Sequence, residues 1–243
     1  MKNTKKTSLA IIVAMFLMAQ NALGVTTAQN STVSNARRSY VAALPAEIIY
    51  QKSTDAVFSL ETFDIDGESI RTGSGFFISD TGLAVTNLHV IDGAASATIT
   101  LSSGEVFPVQ GVHGTSYEHN LAVISMDPGE HLTTYLTYAD SDLIETGNTV
   151  YTIGNPMGYA NTMTSGIIGK TNREVDGGTL IQFTAPISFG SGGSPLLNTQ
   201  GQVIGVASSS FSYGQNLNLA VPINHAKVID IGESVTLESL LVF

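Results

Sequence analysis

The sequence has 243 residues, with ten basic side chains (lysine and arginine) against twenty acidic ones, and no cysteine. The formal net charge of −10 argues against a nucleic-acid partner, because such a chain offers no basic stripe to offset phosphate repulsion. The lack of cysteine excludes disulfides and thiolate metal sites, so packing alone must stabilise the fold.

The first 24 residues have the pattern of an export signal. Lys2, Lys5 and Lys6 precede an apolar run at 9–19 that is too short to span a bilayer, and small residues follow at 21–24. This predicts a leader over 1–24, export to a bacterial surface, periplasm or medium, and no membrane span after cleavage. The alternative is an uncleaved N-terminal anchor.

The remaining chain divides into two parts. Residues 25–43 are polar without apolar periodicity, which predicts a linker or pro-segment. Residues 44–243 form the predicted globular domain. Within it, apolar residues at helical spacing predict a short helix over 44–57 and another over 222–232.

Between these helices the pattern is that of short β-strands punctuated by glycine, asparagine, aspartate or proline. A dozen such strands with almost no helix between them predict an all-β fold, either antiparallel barrels or a sandwich. The predicted strands are 57–63, 74–79, 83–89, 96–102, 106–112, 121–126, 149–154, 163–169, 179–185, 195–198, 202–209 and 216–222.

Of the five histidines, His89 is the candidate for proton transfer, because it follows an apolar strand where a turn begins. A buried structural histidine would look the same at this stage. The others lie in polar or loop contexts and are expected to be solvated or structural: His113, His119, His131 and His225.

Four spaced stretches resemble trypsin-fold serine proteases of the HtrA/Deg type, in that family's order. They are GSGFFISDTGLAVTNLHVIDGA (73–94), EHNLAVISMD (118–127), TVYTIGNPMGYANTMTSGIIG (149–169) and IQFTAPISFGSGGSPLLNTQGQVIGVASSS (181–210), with NLNLAVPIN (216–224) completing the match. The resemblance implies two packed six-stranded β-barrels, an active site in the cleft between them, and endoproteolysis by a His, Asp and Ser triad. It implies no metal or organic cofactor.

The triad aspartate of this family precedes a strand, and the matching residue here is Asn120. An asparagine brings no charge to the histidine and can favour the wrong tautomer; the corresponding Asp→Asn change in a well-studied triad lowers turnover roughly 10⁴-fold. Glu118 is two residues away, about 6.6 Å along a strand, and is a poor substitute.

The nucleophile loop raises a second doubt. Laid over the family pattern without gaps, FGSGGSPLLN (189–198) puts Gly192 at the nucleophile, and Gly190 and Gly192 at the two oxyanion-hole amides. The alternative frame makes Ser191 the nucleophile, but it needs a deletion and an insertion and moves Phe189 into the oxyanion hole. The gapless frame is simpler and predicts impaired or lost hydrolysis, that is, a pseudoprotease.

A cleft without a nucleophile can still bind peptide. By the resemblance, Ala207, Ser208 and Ser209 would pair with an extended or unfolded polypeptide as an added strand. The first specificity pocket would be lined by Ile187, Ser210 and Phe211 and would favour a small or medium apolar residue, although Ile187 and Phe211 could equally be core.

Three hypotheses therefore stay open: a serine endopeptidase using His89 and Ser191, a peptide-binding homologue without catalysis, and a structural or adhesive surface protein. HtrA proteins usually continue into a PDZ domain, and none is expected in the roughly twenty residues after 224. We expect a monomer.

Overall fold

The computed structural model describes residues 42–129, 134–155, 159, 161–175, 177–208 and 216–242. The leader expected at 1–24 lies outside the described residues, as does the 25–43 segment except for its last two residues. Among the helices that are described, none combines the length and the apolar character that a membrane crossing requires.

Within the described residues, thirteen strands make up two sheets, which confirms the all-β class. Their bounds are β1 Val57–Phe63, β2 Ser69–Phe77, β3 Leu83–Asn87, β4 Ser96–Thr100, β5 Val106–Pro108, β6 Gly111–Ser116, β7 Leu121–Ser125, β8 Thr149–Gly154, β9 Thr162–Val175, β10 Gly178–Phe183, β11 Pro195–Leu197, β12 Val203–Ser208 and β13 Asn218–Pro222.

The first sheet has seven strands in the order β5-β4-β1-β2-β3-β7-β6 and is curled rather than closed. This half is therefore a curled half-barrel of seven strands, where six strands in a closed barrel were expected. The single strand predicted over 106–112 is divided here, because Val109 bonds to Ala97 while Gln110 bonds to Ser125 at the other edge of the sheet. The chain thus passes from one edge, β5, to the opposite edge, β6.

The second sheet is the expected closed barrel of six strands, in the order β10-β13-β12-β11-β8-β9. All its pairings are antiparallel. β9 runs to 14 residues, twice the predicted length, because its first half pairs with β8 and its second half with β10.

The helices are short. The N-terminal one, α1, spans Ala46–Ser53 and continues into a 3₁₀ turn at Thr54–Ala56, close to the prediction of 44–57. The four-residue helix α2, Leu88–Ile91, begins where β3 ends. The C-terminal helix α3 spans only Asn224–Lys227, so the helix predicted over 222–232 is mostly wrong.

Three clusters of buried side chains form the core. One lies within the first sheet around Phe58 and Phe77, and one within the barrel around Ile181 and Phe183. The third contains residues of both sheets, Phe76 of the first among them, so the two sheets share an apolar interface. The edge of this interface positions the candidate site.

Candidate active site

The candidate base, His89, is held at the start of the short helix α2 by the first sheet. Its backbone N–H donates to the Asn120 side-chain oxygen at 2.9 Å, and the Leu88 N–H donates to the Asn120 carbonyl at 3.1 Å. The side chain of Asn87 also donates to that carbonyl, at 3.1 Å. His89 thus lies on helix α2 rather than on a strand, and three bonds to one residue fix its position.

Asn120 lies directly before β7, as the sequence predicts. Its φ of 51° is in the left-handed region, which asparagine tolerates better than most residues. This turn aims the side chain at the imidazole: Nδ2 lies 2.9 Å from His89 Nδ1, and Oδ1 lies 3.2 Å from it.

These distances favour one tautomer of the neutral ring, the one in which the Asn120 amide donates to Nδ1. Asn120 Oδ1 is already the acceptor of the His89 backbone N–H, and Nδ2 is the nearer atom to Nδ1. The amide N–H therefore donates to Nδ1, which then carries no proton. The ring proton lies on Nε2, so that nitrogen is a donor rather than the acceptor that a general base requires.

Burial reinforces the neutral state. It lowers the pKa of His89 below its ordinary value; the hydrogen bond with the Asn120 side chain opposes this shift by raising the pKa, and the charge of Arg71 lowers the pKa again. The Arg71 guanidinium also donates to the Asp92 carbonyl at the end of helix α2. At neutral pH the site therefore holds an uncharged His89 with a cation beside it.

The loop that follows β10 belongs to the barrel half of the site. Gly190 and Gly193 have φ values of 86° and 90°, a conformation that glycine adopts without strain. Two turn bonds shape the loop: Ser191 N–H donates to Ser188 O at 3.0 Å, and Ser194 N–H to Ser191 O at 3.1 Å.

Ser74 of β2 fastens this loop to the first sheet. Its hydroxyl donates to Gly190 O at 2.8 Å and accepts from the Asn155 N–H at 3.0 Å, while its own N–H donates to Gly192 O at 2.8 Å. Sequence reasoning missed Ser74, although it lies in the GSG at the start of the first matching stretch. Its partners come from positions 81 and 116 residues away, which no local pattern reveals.

The barrel holds the other side of the loop. Gly193 N–H donates to Ala207 O at 2.9 Å, and Ala207 N–H donates to Ser194 O at 2.8 Å. A Cβ on Gly193 would overlap the Ser74 carbonyl oxygen, so a glycine is required where the loop crosses β2. The backbone of the loop is thus fixed from both sheets.

The two serine frames differ in where the structure puts their side chains. Gly192, the nucleophile position of the gapless frame, has no side chain. The Ser191 side chain is 3% exposed, and its oxygen accepts from the Ser188 N–H at 3.3 Å. No hydrogen bond joins Ser191 to His89 within the described residues, so the structure does not bring these two candidates together.

The amides of Gly190 and Gly192 are unpartnered. Within the part of the chain that is described, neither N–H donates to a protein acceptor, although both residues are buried. Buried backbone donors without a partner are rare and call for a water or a ligand. These are the two amides that the gapless frame assigns to the oxyanion hole.

Gly73 brings the two halves together. A Cβ on this residue would lie 2.7 Å from Val90 of helix α2 and 3.1 Å from the Gly192 carbonyl. The helix that carries His89 and the peptide of Gly192 therefore approach the same glycine, and only the lack of a side chain there permits it.

The expected substrate-binding residues are placed only in part. Ala207 has its N–H and its C=O engaged with the loop, so neither group is free to pair with an added strand. Ser208 is buried, and its hydroxyl has no partner among the described residues. Ile187 is half-buried against the barrel core. Ser209, Ser210 and Phe211 lie outside the described residues.

The three other histidines that the structure describes contact residues outside the site. His119 stacks on His225 with ring centroids 3.7 Å apart, and burial followed by the charge of His119 lowers the pKa of His225. The charge of Glu118 raises the pKa of His225 and is not among the causes of the His89 shift. This agrees with the expectation that Glu118 is a poor substitute for the triad aspartate. His113 contacts Gly232 and Ser125. His131 lies outside the described residues.

Comparison with known proteins gives the same family as the geometry. Residues 73–206 match the family described as trypsin-like peptidase domain. A serine protease named HhoA from Synechocystis sp. is 35% identical over 164 residues, covering 65% of this chain and 41% of the relative. A DegP-like periplasmic serine endoprotease of Rhizobium meliloti is 32% identical over 67% of this chain and 32% of its own length.

Solved structures agree. Two structures of the HtrA-type protease AlgW with a tripeptide superpose with TM-scores of 0.68 and 0.67 at 31% identity. They cover 76% and 75% of this chain, and 62% of the AlgW chain in each case. The chain thus spans about a third to two fifths of the curated relatives.

Proposed function

The chain belongs to the family of trypsin-like peptidase domains, and from that premise we propose that it is an exported, HtrA-like protein that binds extended polypeptide without cleaving it. The observation that carries this proposal is the glycine at position 192. The loop around it keeps the hydrogen bonds that would present a nucleophile, but Gly192 has no atom that can attack a carbonyl.

The position of Ser191 supports the proposal against the alternative frame. A nucleophilic hydroxyl must lie within hydrogen-bond reach of its base. The Ser191 oxygen instead accepts from the Ser188 N–H in its own loop and is almost fully buried. Moving it to His89 would break that bond and the turn that contains it.

The state of His89 supports the proposal independently. With Asn120 Nδ2 donating to Nδ1, the Nε2 nitrogen holds a proton and cannot accept one from a serine. Without a carboxylate, no negative charge would stabilise an imidazolium during turnover. The loss expected from this change alone is roughly 10⁴-fold in turnover.

Polypeptide binding is supported by what the site keeps. The amides of Gly190 and Gly192 have no partner among the described residues, and β12 ends beside the loop. Relatives of the HtrA type have been solved with a tripeptide. We take this as the reason to prefer a polypeptide ligand over a purely structural or adhesive role.

Export is part of the proposal. Residues 1–24 have the basic start, apolar run and small residues of a leader. The DegP-like relative is named as periplasmic. An exported domain without cysteine would work outside the cytoplasm without disulfides.

The test is hydrolysis of unfolded casein by the purified protein and three variants. We expect no cleavage by the parent protein, cleavage by Gly192→Ser combined with Asn120→Asp, and no cleavage when His89→Ala is added to that pair. The double change supplies the missing hydroxyl and carboxylate on a backbone that already holds the loop.

Controls make each result decisive. Gly192→Ala with Asn120→Asp matches the active pair but lacks the hydroxyl, and must stay inactive. Cleavage by the parent that vanishes in Ser191→Ala would overturn the proposal in favour of the endopeptidase that uses Ser191. A folded double variant that stays inactive would mean that the loop does not form an oxyanion hole.

The tautomer can be measured directly. In the parent protein, ¹⁵N chemical shifts should show His89 protonated at Nε2 at neutral pH, because Asn120 donates to Nδ1. In Asn120→Asp the proton should move to Nδ1, and the pKa of His89 should rise because the carboxylate stabilises the imidazolium. An Nδ1 proton in the parent would contradict this part of the proposal.

A further inference from the structure

A serine and a histidine outside the triad region form a hydrogen-bonded pair on strands β7 and β6. His113 Nε2 lies 3.0 Å from Ser125 Oγ, and His113 Nδ1 lies 3.2 Å from the Gly232 carbonyl oxygen. A carbonyl oxygen only accepts hydrogen bonds, so Nδ1 carries the ring proton of the neutral imidazole. Nε2 is then the acceptor, and the Ser125 hydroxyl donates to it. This is the arrangement of a serine with its general base, with the Gly232 carbonyl as the group that orients the base.

A β-bulge places the imidazole of this pair. Strands β6 and β7 pair on both sides of His113, but the register shifts between Val112 and Gly114, so His113 is the extra residue. Bulges bend a strand and re-aim its side chains, and they are frequent next to active sites. The position of His113 is therefore a feature of the backbone and not the chance orientation of a surface side chain.

The segment that orients the imidazole is itself bound to β6. The Gly232 N–H donates to the His113 carbonyl at 3.0 Å, so two hydrogen bonds join these residues. Val112 and Val235 exchange backbone hydrogen bonds at 2.8 and 2.9 Å. The acceptor of the ring proton is therefore in place before any substrate binds.

The pair is accessible to small molecules. Both side chains line an open pocket of about 470 Å³, which shares no residue with the triad positions. Ser125 and His113 are half-buried, whereas the Ser191 side chain is only 3% exposed. Ser125 thus combines a base within hydrogen-bond reach with access from solvent, and Ser191 has neither.

Ser234 supplies a hydrogen-bond donor beside the pair. Gly111 is paired with Ser125, and side chains at paired positions lie on the same face with Cβ atoms roughly 4.5–5.5 Å apart. A Cβ on Gly111 would lie 3.1 Å from Ser234 Oγ, so this hydroxyl lies on the Ser125 side of the sheet. The Gln110 side-chain amide also lines the pocket. Both groups can donate to an oxygen that gains negative charge near Ser125.

We propose that Ser125 and His113 form a nucleophilic site that hydrolyses short, uncharged carboxylic esters. The Ser125 oxygen attacks the ester carbonyl carbon while its proton passes to His113 Nε2. The ester C–O bond then breaks, and the leaving alcohol takes that proton. Water hydrolyses the acyl-serine with the same base, which releases the carboxylic acid and restores the hydroxyl. This inference is independent of the proposed function, since neither residue belongs to the triad region.

The lining of the pocket indicates the class of ester. Leu83, Met126 and Pro128 supply apolar surface, and Asp127 supplies a carboxylate. The carboxylate and the net charge of −10 both disfavour an anionic substrate. The volume of about 470 Å³ lies at the lower end of small-molecule pockets, roughly 300–1,000 Å³. A short acyl group without charge matches both the size and the surface.

The first test measures hydrolysis of p-nitrophenyl butyrate by release of p-nitrophenolate. We expect the parent protein to exceed the rate in buffer and Ser125→Ala to lose this excess. His113→Gln should lower the rate about 100-fold or more, the usual contribution of a general base. Ser69→Ala is the matched control, because the Ser69 hydroxyl donates to the Glu61 carboxylate rather than to an imidazole. Its rate should equal that of the parent.

The second test needs no variant. A biotin-tagged alkyl fluorophosphonate reacts with an activated serine, whose oxygen displaces fluoride from phosphorus and whose proton passes to the base. Peptide mass spectrometry of the labelled parent protein should place the tag on Ser125. The same tag should be absent from position 125 in His113→Gln, whose folding is checked by circular dichroism.

The outcomes distinguish this inference from the proposed function. A parent protein that hydrolyses the ester no faster than Ser125→Ala overturns the inference, and so does a parent in which Ser125 takes no label. Either result leaves polypeptide binding intact. A label on Ser191 instead overturns the proposed function, because it would show an activated serine in the family's nucleophile loop.

Discussion

The two halves of the candidate site differ from the family's triad pattern in different ways. In the first sheet, His89 remains but its partner Asn120 reverses the direction of the hydrogen bond to the ring. In the barrel loop, the backbone bonds remain but Gly192 supplies no side chain. Against that pattern the first half lacks the charge of a carboxylate and the second lacks a hydroxymethyl group, whereas hydrogen bonds hold the loop between the two sheets. Catalytic groups and the backbone that presents them are therefore separable.

The largest effect should come from breaking the framework itself. Gly193→Ala places a Cβ against the Ser74 carbonyl, in a left-handed conformation that disfavours any side chain. We expect the free energy of unfolding in urea to fall by about 3–5 kcal/mol.

Gly147→Ala is the matched control. Its φ of 92° is nearly the same, but nothing lies within 4 Å of the added Cβ. Only the conformational cost of about 1–2 kcal/mol should remain. Equal losses for the two variants would mean that Gly193 is needed for its φ alone.

The next largest loss of stability should come from removing the Ser74 hydroxyl, whose hydrogen bonds join the two halves of the site. Ser74→Ala leaves Gly190 O and the Asn155 N–H without their partner, which should cost about 1–3 kcal/mol in urea unfolding. It should also lower the activity of the restored double variant, because the loop loses one of its bonds to the first sheet. Ser69→Ala, at an exposed hydroxyl on the same strand, should change stability by less than about 0.5 kcal/mol.

Ser191→Ala should have a smaller effect on stability. It also tests which alignment of the loop is correct, the one with Gly192 or the one with Ser191 at the nucleophile position. It removes one hydrogen bond, to the Ser188 N–H, and should cost about 1 kcal/mol in thermal unfolding. Cleavage of casein by the restored double variant should persist. If adding Ser191→Ala abolished the cleavage of casein by the restored double variant, Ser191 would be the nucleophile.

The mildest effect is a pH dependence of stability. The pKa values of His89 and His225 are lowered from 6.5 in the folded protein, so the unfolded chain binds more protons below that value. Stability should be complete above about pH 6.5 and fall on acidification below it. Urea unfolding at pH 7.5 and 5.5 should show this loss, and His89→Gln and His225→Gln should each reduce it. A parent protein that gains stability at pH 5.5 would contradict both shifts.

Much of the fold was predictable because its strands are short and punctuated. β1 and β8 have the predicted bounds, since their apolar patterns end at turn residues. Whether each sheet closes into a barrel could not be predicted from the sequence, because closure depends on which edge strands pair. The C-terminal helix was overestimated for a related reason: Gly232 and Val235 bond to His113 and Val112 on the edge of the first sheet, which favours an extended chain over a helix.

The site was predictable where one residue replaces another at a fixed position. A gapless comparison with the family assigns Asn120 and Gly192 to triad positions, and these assignments stay predictions; the structure adds the contact between Asn120 and His89. The role of Ser74 was beyond the sequence, because a serine near a glycine is common and its partners lie far along the chain. The sequence also could not show that the N–H and C=O of Ala207 form hydrogen bonds with the loop.

The framework around Gly192 also bears on how such a protein could evolve. Because Ser74 and Ala207 hold the loop through main-chain atoms, its shape does not depend on the residue at position 192. Asparagine and aspartate codons differ by one base, and so do the glycine codons GGU and GGC from the serine codons AGU and AGC. With either of those glycine codons, two point mutations would separate this gene from one that encodes a complete triad, and selection could cross that distance in either direction.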